Sequence, residues 1–230
     1  MRVSEIFYSL QGEGINTGVP TTFIRLAGCN LRPPCSWCDT KYAQPLEGNS
    51  TTMTVEEIEA EVHRLHPYTG SWVCITGGEP LLQTQELEKL VSLLKRYLYK
   101  VECFTNGTLP RPFWWTRVDS WVIDFKPPSA KVTEVPHPDW DVLRITDQVK
   151  IVVGSKEDLD FASSVIRKYA VSGESGKPEI FISPCIIYFE GMSWTNQMEW
   201  FQTVANFCAD KKVRMMIQLQ KLVWGNQKGR

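Results

Sequence analysis

The sequence predicts an α/β fold, a parallel sheet covered by helices. Three observations support this. Short apolar runs alternate with amphipathic helical stretches along the 230 residues. The runs read as too apolar to leave one face in water, as strands buried on both faces do. Four of them end in unusual polar or glycine-rich sequence, where reactive groups gather in parallel α/β folds.

The elements follow in order. Residues 21–29 (TTFIRLAGC) form a strand that runs into a cysteine-rich loop. In TMTVEEIEAEVHRL, Thr54 and Glu57 form a capping box that opens a helix. Residues 71–76 (SWVCIT) are a strand ending in GGEP. TQELEKLVSLLKRYL places Leu87, Leu90, Leu94 and Leu98 at helical spacing, with Thr84 as N-cap. VECFTNG, SWVIDFKPP and QVKIVVG are further strands, each closed by turn residues. SKEDLDFASSVIRKYA is a helix capped by Ser155 and Asp158, EIFISP a strand, and WTNQMEWFQTVANFCADKK an amphipathic helix. SGESGKPE (172–179) reads as a surface loop, and VRMMIQLQKLVWG closes the chain as a strand with a short tail. With no long linker and no repeat, residues 1–230 read as a single domain.

Composition narrows the function. A formal net charge of -1 offers no field for nucleic acid or an anionic membrane. No apolar run approaches the roughly 20 residues needed to cross a bilayer, and the N-terminus lacks the apolar run of a signal peptide. The protein is therefore expected to be cytoplasmic. Seven cysteines cannot all pair internally. In a reducing compartment, clustered thiols bind metal or react more often than they form disulfides.

Three of those cysteines, Cys29, Cys35 and Cys38, fall within GCNLRPPCSWCDT (28–40). Three thiolates can hold three irons of a four-iron cubane and leave the fourth open to a small molecule. Zinc is the rival, although a closed zinc site asks for four ligands, usually in two pairs. Cys74, Cys103 and Cys208 sit in apolar sequence and read as small core residues; Cys185 lies near a strand end.

A strand, three clustered cysteines of which the last two enclose Ser36 and Trp37, and GGEP after the next strand together resemble the radical S-adenosylmethionine superfamily. Within it, SLQGEG, FIRLAGCN, CSWCDT, ITGGEP, TNGT, KPPS and the closing WGN resemble the 7-carboxy-7-deazaguanine synthase family. The spacing here is C-x5-C-x2-C rather than the family's C-x3-C-x2-C. The extra length falls at Arg32-Pro33-Pro34, expected to bulge outward. Asp124-Phe125-Lys126 stands where relatives often have Ser-Pro-Lys, Phe104 where they have glutamate, and Gln220 where many have histidine.

The resemblance implies an incomplete (β/α) barrel, open on one side. It implies conversion of 6-carboxy-5,6,7,8-tetrahydropterin to 7-carboxy-7-deazaguanine with loss of ammonia, initiated by reductive cleavage of S-adenosylmethionine at a [4Fe-4S] cluster. It gives Cys29, Cys35 and Cys38 as cluster ligands and Thr40 as a Mg²⁺ ligand, with Asp39 nearby. Cofactor contacts fall to Trp37, Gly77, Gly78, Glu79, Asp124, Phe125 and Lys126, with Ser183 as a further candidate. Substrate contacts fall to Leu10, Gln11, Gly12, Glu13, Gly14, Arg25, Thr76 and Gln220. A carboxylate such as Glu13 can accept from the pterin N–H edge, and the Arg25 fork suits a substrate carboxylate as well as a structural ion pair. A flavodoxin or ferredoxin donor and a homodimer are also implied, and Trp194, Trp200 and Trp224 could serve such an interface or the core. Two other readings stay open on these residues, a glycyl-radical-enzyme activase and a zinc-stabilised binding module without catalysis.

Overall fold

A computed structural model of the chain describes residues 1–171, 176–186, 194–225 and 227–229. Its strands are β1 (Arg2–Leu10), β2 (Pro20–Leu26), β3 (Thr51–Thr52), β4 (Trp72–Gly77), β5 (Lys100–Thr105), β6 (Ser120–Phe125), β7 (Gln148–Val153), β8 (Glu179–Pro184) and β9 (Arg214–Met215). They form one sheet in the order β3-β1-β2-β4-β5-β6-β7-β8-β9, parallel from β2 to β9 and not closed edge to edge. The helices are α1 (Val55–Leu65), α2 (Thr84–Arg96), α3 (Lys156–Val171), α4 (Trp194–Lys211) and α5 (Leu219–Trp224). This is the expected incomplete barrel, with the predicted strands from β2 to β8 in place.

Local chemistry explains the boundaries. Thr54 Oγ1 accepts from Glu57 N–H and Glu57 Oε2 from Thr54 N–H, the predicted box. Asp158 and Ser155 cap α3 in the same reciprocal way. On α2 the cap is Gln83 rather than Thr84, because a 3₁₀ turn over Pro80–Gln83 leads straight into the helix. Leu87, Leu90, Val91 and Leu94 are fully buried, but Leu98 is not on this stripe. It lies past the helix end at φ 64° and is exposed, the left-handed position that lets Tyr97 and Tyr99 N–H close onto the last carbonyls.

Two elements differ from expectation. β1 is a full antiparallel strand along β2, with a bulge between Val3 and Glu5; its mix of Arg2, Ser4, Glu5 and Ser9 hides it from a search for apolar runs. The C-terminal segment keeps only two strand residues. Pairing with β8 ends at Met216 N–H to Ile182 O although β8 itself runs on to Pro184, and Leu219 N–H bonds Gly12 O as the chain turns into α5. Gln220 therefore sits on a short helix, not on a last strand.

The strands alternate between two environments. Val73, Ile75, Val101, Cys103, Ile123, Val149 and Ile151 face a large apolar core beneath the helices, which also takes up Trp121, Trp140, Tyr169 and Cys208. Those three ring polar groups are all bonded, Trp121 Nε1 to Trp115 O, Trp140 Nε1 to Leu109 O and Tyr169 OH to Trp140 O. The other face is polar but also lies largely out of water, so the strands have no wet face, as expected, although the second face is not apolar: Glu102, Asp124, Lys126, Gln148 and Lys150 lie on it. Among the late tryptophans, Trp200 packs on the main core and Trp224 is half-buried. The side chain of Trp194 and part of the 172–179 loop lie outside the described residues.

Leu90→Ala should cost about 3 kcal/mol through the cavity it leaves. That corresponds to a fall in Tm of roughly 6–12 °C at this chain length, read by thermal denaturation.

Candidate active site

A cavity of about 290 Å³ occupies the polar side of the sheet, lined from β1, β2, β4, β5, β6 and β7 and from the loops after β1, β2 and β4. It has a mouth, a middle and a floor.

The mouth is the loop after β2. Cys29, Cys35 and Cys38 all line the cavity. An apolar nest of Leu31, Trp37, Ala130, Val132, Val152 and Cys185 packs around them. Burial pushes the Cys35 thiol up to about 11 and raises Cys29 as well, so a metal would have to displace their protons. Arg32, Pro33 and Pro34 are exposed, the expected outward bulge. The bulge is tied down by Arg32 N–H to Glu134 Oε1 (2.6 Å) and Thr133 Oγ1 to Arg32 O (2.7 Å). Among the described residues no three His, Cys, Asp or Glu converge to hold a single metal ion. Tetrahedral zinc would draw its sulfurs to about 3.7 Å of one another, given Zn–S bonds near 2.3 Å. A cubane carries its ligands farther apart, on separate irons. Three thiols on one dry, shared wall fit the cluster.

Gly77 and Gly78 fasten this loop. Gly78 N–H bonds Leu26 O and Glu79 N–H bonds Gly28 O. A Cβ on Gly77 would stand 2.1 Å from Leu26 O, and one on Gly78 1.9 Å from Gly28 O. The glycines are required by backbone packed against the cysteine loop, whether or not a ligand also approaches. Glu79 is placed differently from expectation: its carboxylate is fully buried and does not line the cavity. It accepts from Leu81 N–H (3.0 Å), Thr105 Oγ1 (2.9 Å) and Asn106 N–H (2.8 Å), pinning the turn after β4 to that after β5. Asn106 in turn donates to Asn30 Oδ1 in the cysteine loop (2.9 Å).

The middle is a ladder of ion pairs. Lys126 Nζ contacts Asp124 Oδ2 at 2.9 Å, Asp124 Oδ2 contacts Lys150 Nζ at 3.3 Å, and Lys150 Nζ meets Glu13 Oε2 at 2.6 Å. Burial disfavours every charge here. The opposite partners outweigh it, so Asp124 is lowered and Lys126 and Lys150 are raised from their usual values. Lys126 also stands 5.0 Å over the Trp37 ring. Asp124 Oδ1 and Ser183 Oγ are buried without a hydrogen-bond partner among the described residues, and of the two only Asp124 lines the cavity. Phe125, between Asp124 and Lys126, points the other way into the helix-side core, against Tyr169. Strand alternation removes its side chain from the site.

The floor is the Gln11–Gly14 segment, which enters from the end of the barrel opposite the cysteines, where Leu10 pairs with Pro20. Glu13 accepts from Gln218 Nε2 (2.5 Å) and Gln220 Nε2 (3.2 Å) as well as Lys150. A Cβ on Gly12 would strike Gln220 Oε1 at 1.7 Å. Leu10, Gln11, Gly12, Glu13, Arg25, Thr76 and Gln220 line the cavity; Gly14 does not. Gly14 instead adopts φ 72° and donates to Met216 Sδ, closing the segment against the C-terminal chain. Arg25 Nε pairs with Glu5 Oε1 at 2.7 Å, and Tyr42 OH donates to the same oxygen. The guanidinium stands 5.8 Å over the Phe7 ring, so Arg25 is both a structural ion pair and part of the wall. Thr40 and Asp39 lie on the opposite rim, Thr40 Oγ1 3.7 Å from Cys38 Sγ and Asp39 3.4 Å from Lys221 Nζ.

Lys150, Glu102, Gln148 and Gln218 were not singled out from sequence. The signal for two of them was present: VEC and QVK each place one ionisable residue at the centre of an apolar strand.

The fold and the thiol wall define a radical S-adenosylmethionine enzyme, and residues 23–125 match the Radical SAM superfamily model. The chain is 39% identical over 97% of its length, and 85% of the relative's, to the 7-carboxy-7-deazaguanine synthase of Methanospirillum hungatei. It is 34% identical to that of Thermoplasma acidophilum over the whole of both chains. It belongs to the 7-carboxy-7-deazaguanine synthase family and is an enzyme of 7-deazapurine biosynthesis. Its fold matches the crystal structure of QueE from Escherichia coli with a TM-score of 0.68, 23% identity and coverage of 95% of this chain and 93% of that one. Neither the activase nor the zinc-module reading is favoured by these likenesses.

Gly78→Ala should weaken the cysteine loop without unfolding the sheet. Anaerobically purified protein is expected to retain its far-UV circular dichroism and lose about half or more of its iron, the penalty of a Cβ forced into backbone; full iron content would show that the strap is not what holds the loop.

Proposed function

We propose that this enzyme converts 6-carboxy-5,6,7,8-tetrahydropterin to 7-carboxy-7-deazaguanine. The observation that carries the proposal is the placement of Glu13, Gln11 and Arg25 on one cavity with the three thiols, the recognition groups below and the cysteines above. Cys29, Cys35 and Cys38 would hold a [4Fe-4S] cluster, which together with S-adenosylmethionine would supply radical chemistry. The protein supplies position and a dry site.

Glu13, paired with Lys150 and bonded by Gln218 and Gln220, presents its remaining acceptor positions to the amide and amino N–H edge of the pterin. Arg25 offers its fork to the substrate carboxylate, with Glu5 fixing the guanidinium through Nε. Phe7 and Phe23, stacked at 4.9 Å, give the ring an apolar wall. On the cofactor side, Asp124 Oδ1 and the edges of Gly77 and Gly78 would meet the methionine and ribose of S-adenosylmethionine. Trp37 and Lys126 lie where the sugar or adenine would rest.

Mg²⁺ belongs to the same reading. Thr40 is an oxygen ligand on the rim, with Asp39 as a nearby carboxylate, and a hard cation that keeps several waters asks for little more than these and the substrate carboxylate. A flavodoxin or ferredoxin as electron donor and a paired homodimer rest on the family resemblance.

Reduced, iron-loaded protein with S-adenosylmethionine, Mg²⁺ and the carboxypterin should form the deazaguanine under anaerobic conditions. The purified protein should be brown, with about four irons per chain. Cys35→Ala should lose both iron and turnover. A colourless protein with a single zinc, or absence of product from loaded protein, defeats the proposal. Arg25→Ala should lower kcat/KM at least about tenfold, because a charged hydrogen bond is worth roughly 1.5–3 kcal/mol. Kinetics equal to wild type would take Arg25 out of the site. Removal of Mg²⁺ by chelation should raise KM for the carboxypterin while leaving S-adenosylmethionine binding unchanged.

A further inference from the structure

Beneath the recognition segment lies a carboxylate that does not line the cavity. Glu102, on β5, is about 1% exposed. Among the described residues no cation pairs with it; Lys150 is taken by Glu13 and Asp124. Its partners are three side-chain amides, all donating: Gln11 Nε2 to Oε2 (2.6 Å), and Asn16 Nδ2 and Gln148 Nε2 to Oε1 (3.0 Å each).

Each glutamine then turns its other end to the loop. Gln11 Oε1 accepts from Glu13 N–H (3.2 Å), and Gln148 Oε1 accepts from Ile15 N–H (2.8 Å). Gln148 Nε2 also reaches Ser120 Oγ (2.9 Å). An amide has one donating and one accepting end. A carboxylate that only accepts therefore dictates which end of Gln11 and Gln148 faces inward, and so which end faces the backbone of residues 13 and 15. Reversing Gln11 would set its NH₂ against Glu13 N–H.

We propose that Glu102 is a positioning residue for substrate recognition, whose ionised carboxylate orients the Gln11 and Gln148 amides and thereby fixes the Gln11–Asn16 loop that presents Glu13 to the pterin. This rests on the reading of that loop as the pterin-recognition segment.

The arrangement depends on pH. Burial, the largest influence, raises Glu102 to about 7, with the amide bonds opposing and the Glu13 charge adding to the rise. The titratable groups facing it are Glu13 from the loop and Cys74 from β4; Cys103, next to it on β5, points into the core on the opposite face. Both thiols are held protonated well above neutral, leaving Glu13 as the charged neighbour. The native value lies above that of an unfolded glutamate, about 4.3. The contribution of Glu102 to stability is therefore present at low pH and lost as pH rises through 7. Ionisation therefore weakens the fold while it orders the loop.

The test is amide hydrogen exchange on wild type and Glu102→Gln, without substrate, at pH 6 and pH 8. Protection of residues 13–15 in wild type should be higher at pH 8 than at pH 6. Glu102→Gln should lower that protection about tenfold at pH 8, remove its pH dependence and leave the helices unaffected. With the carboxypterin, the variant should show KM raised about tenfold and kcat within about threefold. Equal protection in both proteins, wild-type protection that does not change with pH, or a wild-type KM in the variant overturns the proposal. If Glu102→Gln does not fold, Asn16→Ala, which removes one amide and no charge, should still lower protection at 13–15, and unchanged protection there overturns it. Failure of wild type to bind the pterin would sink the functional reading alone, since the exchange comparison uses no substrate.

Discussion

The interior of this barrel is organised by one buried contact, Lys150 against Glu13, 2.6 Å apart. An ammonium in the middle of a strand cannot remain charged in a dry interior without partners. Lys150 has two, Glu13 below and Asp124 above. Through Asp124 the chain of charges reaches Lys126 and the ring of Trp37 beside the cysteine nest. Lysine at this point thus couples the floor of the cavity to its mouth. Glu13 enters on a loop from the opposite end of the barrel, and Lys150 gives that loop a charged anchor inside the sheet. Without the cation, Glu13 and Asp124 would be two like charges facing each other in a low-dielectric space.

The mouth is held differently, by main chain. The Gly77–Gly78 strap lies so close to Leu26 and Gly28 that any side chain would enter backbone atoms. Glu79 then ties the strap to the end of β5 through two hydrogen bonds, from Thr105 Oγ1 and Asn106 N–H. Main-chain bonds between adjacent strand ends hold position more tightly than long side chains can, and a cluster spanning three thiols needs its loop fixed before metal arrives. The bulge at Arg32–Pro34 lengthens the loop outward, where it is braced by Thr133 and Glu134 and leaves the inner wall undisturbed.

Much of this was legible in the sequence because it is local. Capping boxes at Thr54 and Ser155, apolar strands and the crowding of Cys29, Cys35 and Cys38 are properties of neighbouring residues. β1 was not legible, because its identity as a strand comes from pairing with β2 rather than from its own polar-rich sequence. Gln220 was misplaced for a related reason: IQLQKLV alternates like a strand, yet the chain leaves β8 after Met216, bonds Gly12 O through Leu219 N–H and turns into α5. Glu79 and Phe125 lie inside recognisable motifs, but which way a side chain points depends on alternation and on the next turn. Lys150 and Glu102 could have been found by asking why an apolar strand spends a charge at its centre.

The two faces of the sheet make opposite contributions, and their separation is what permits the site. Five ionisable groups on the cavity face, Glu13, Glu102, Asp124, Lys126 and Lys150, are each costly to bury, and ion pairing at best returns what desolvation removes. The helix face offsets this with a continuous apolar core running from Val3 to Cys208. Period-two alternation puts both on the same strands, so Ile123 and Phe125 pack the core while Asp124 faces the ligand space. A substitution on the helix face should therefore act on stability and leave the site geometry, whereas one on the cavity face trades stability against recognition. Glu102 shows the second case in its simplest form: the charge that costs the fold is the same charge that keeps two amides turned the right way.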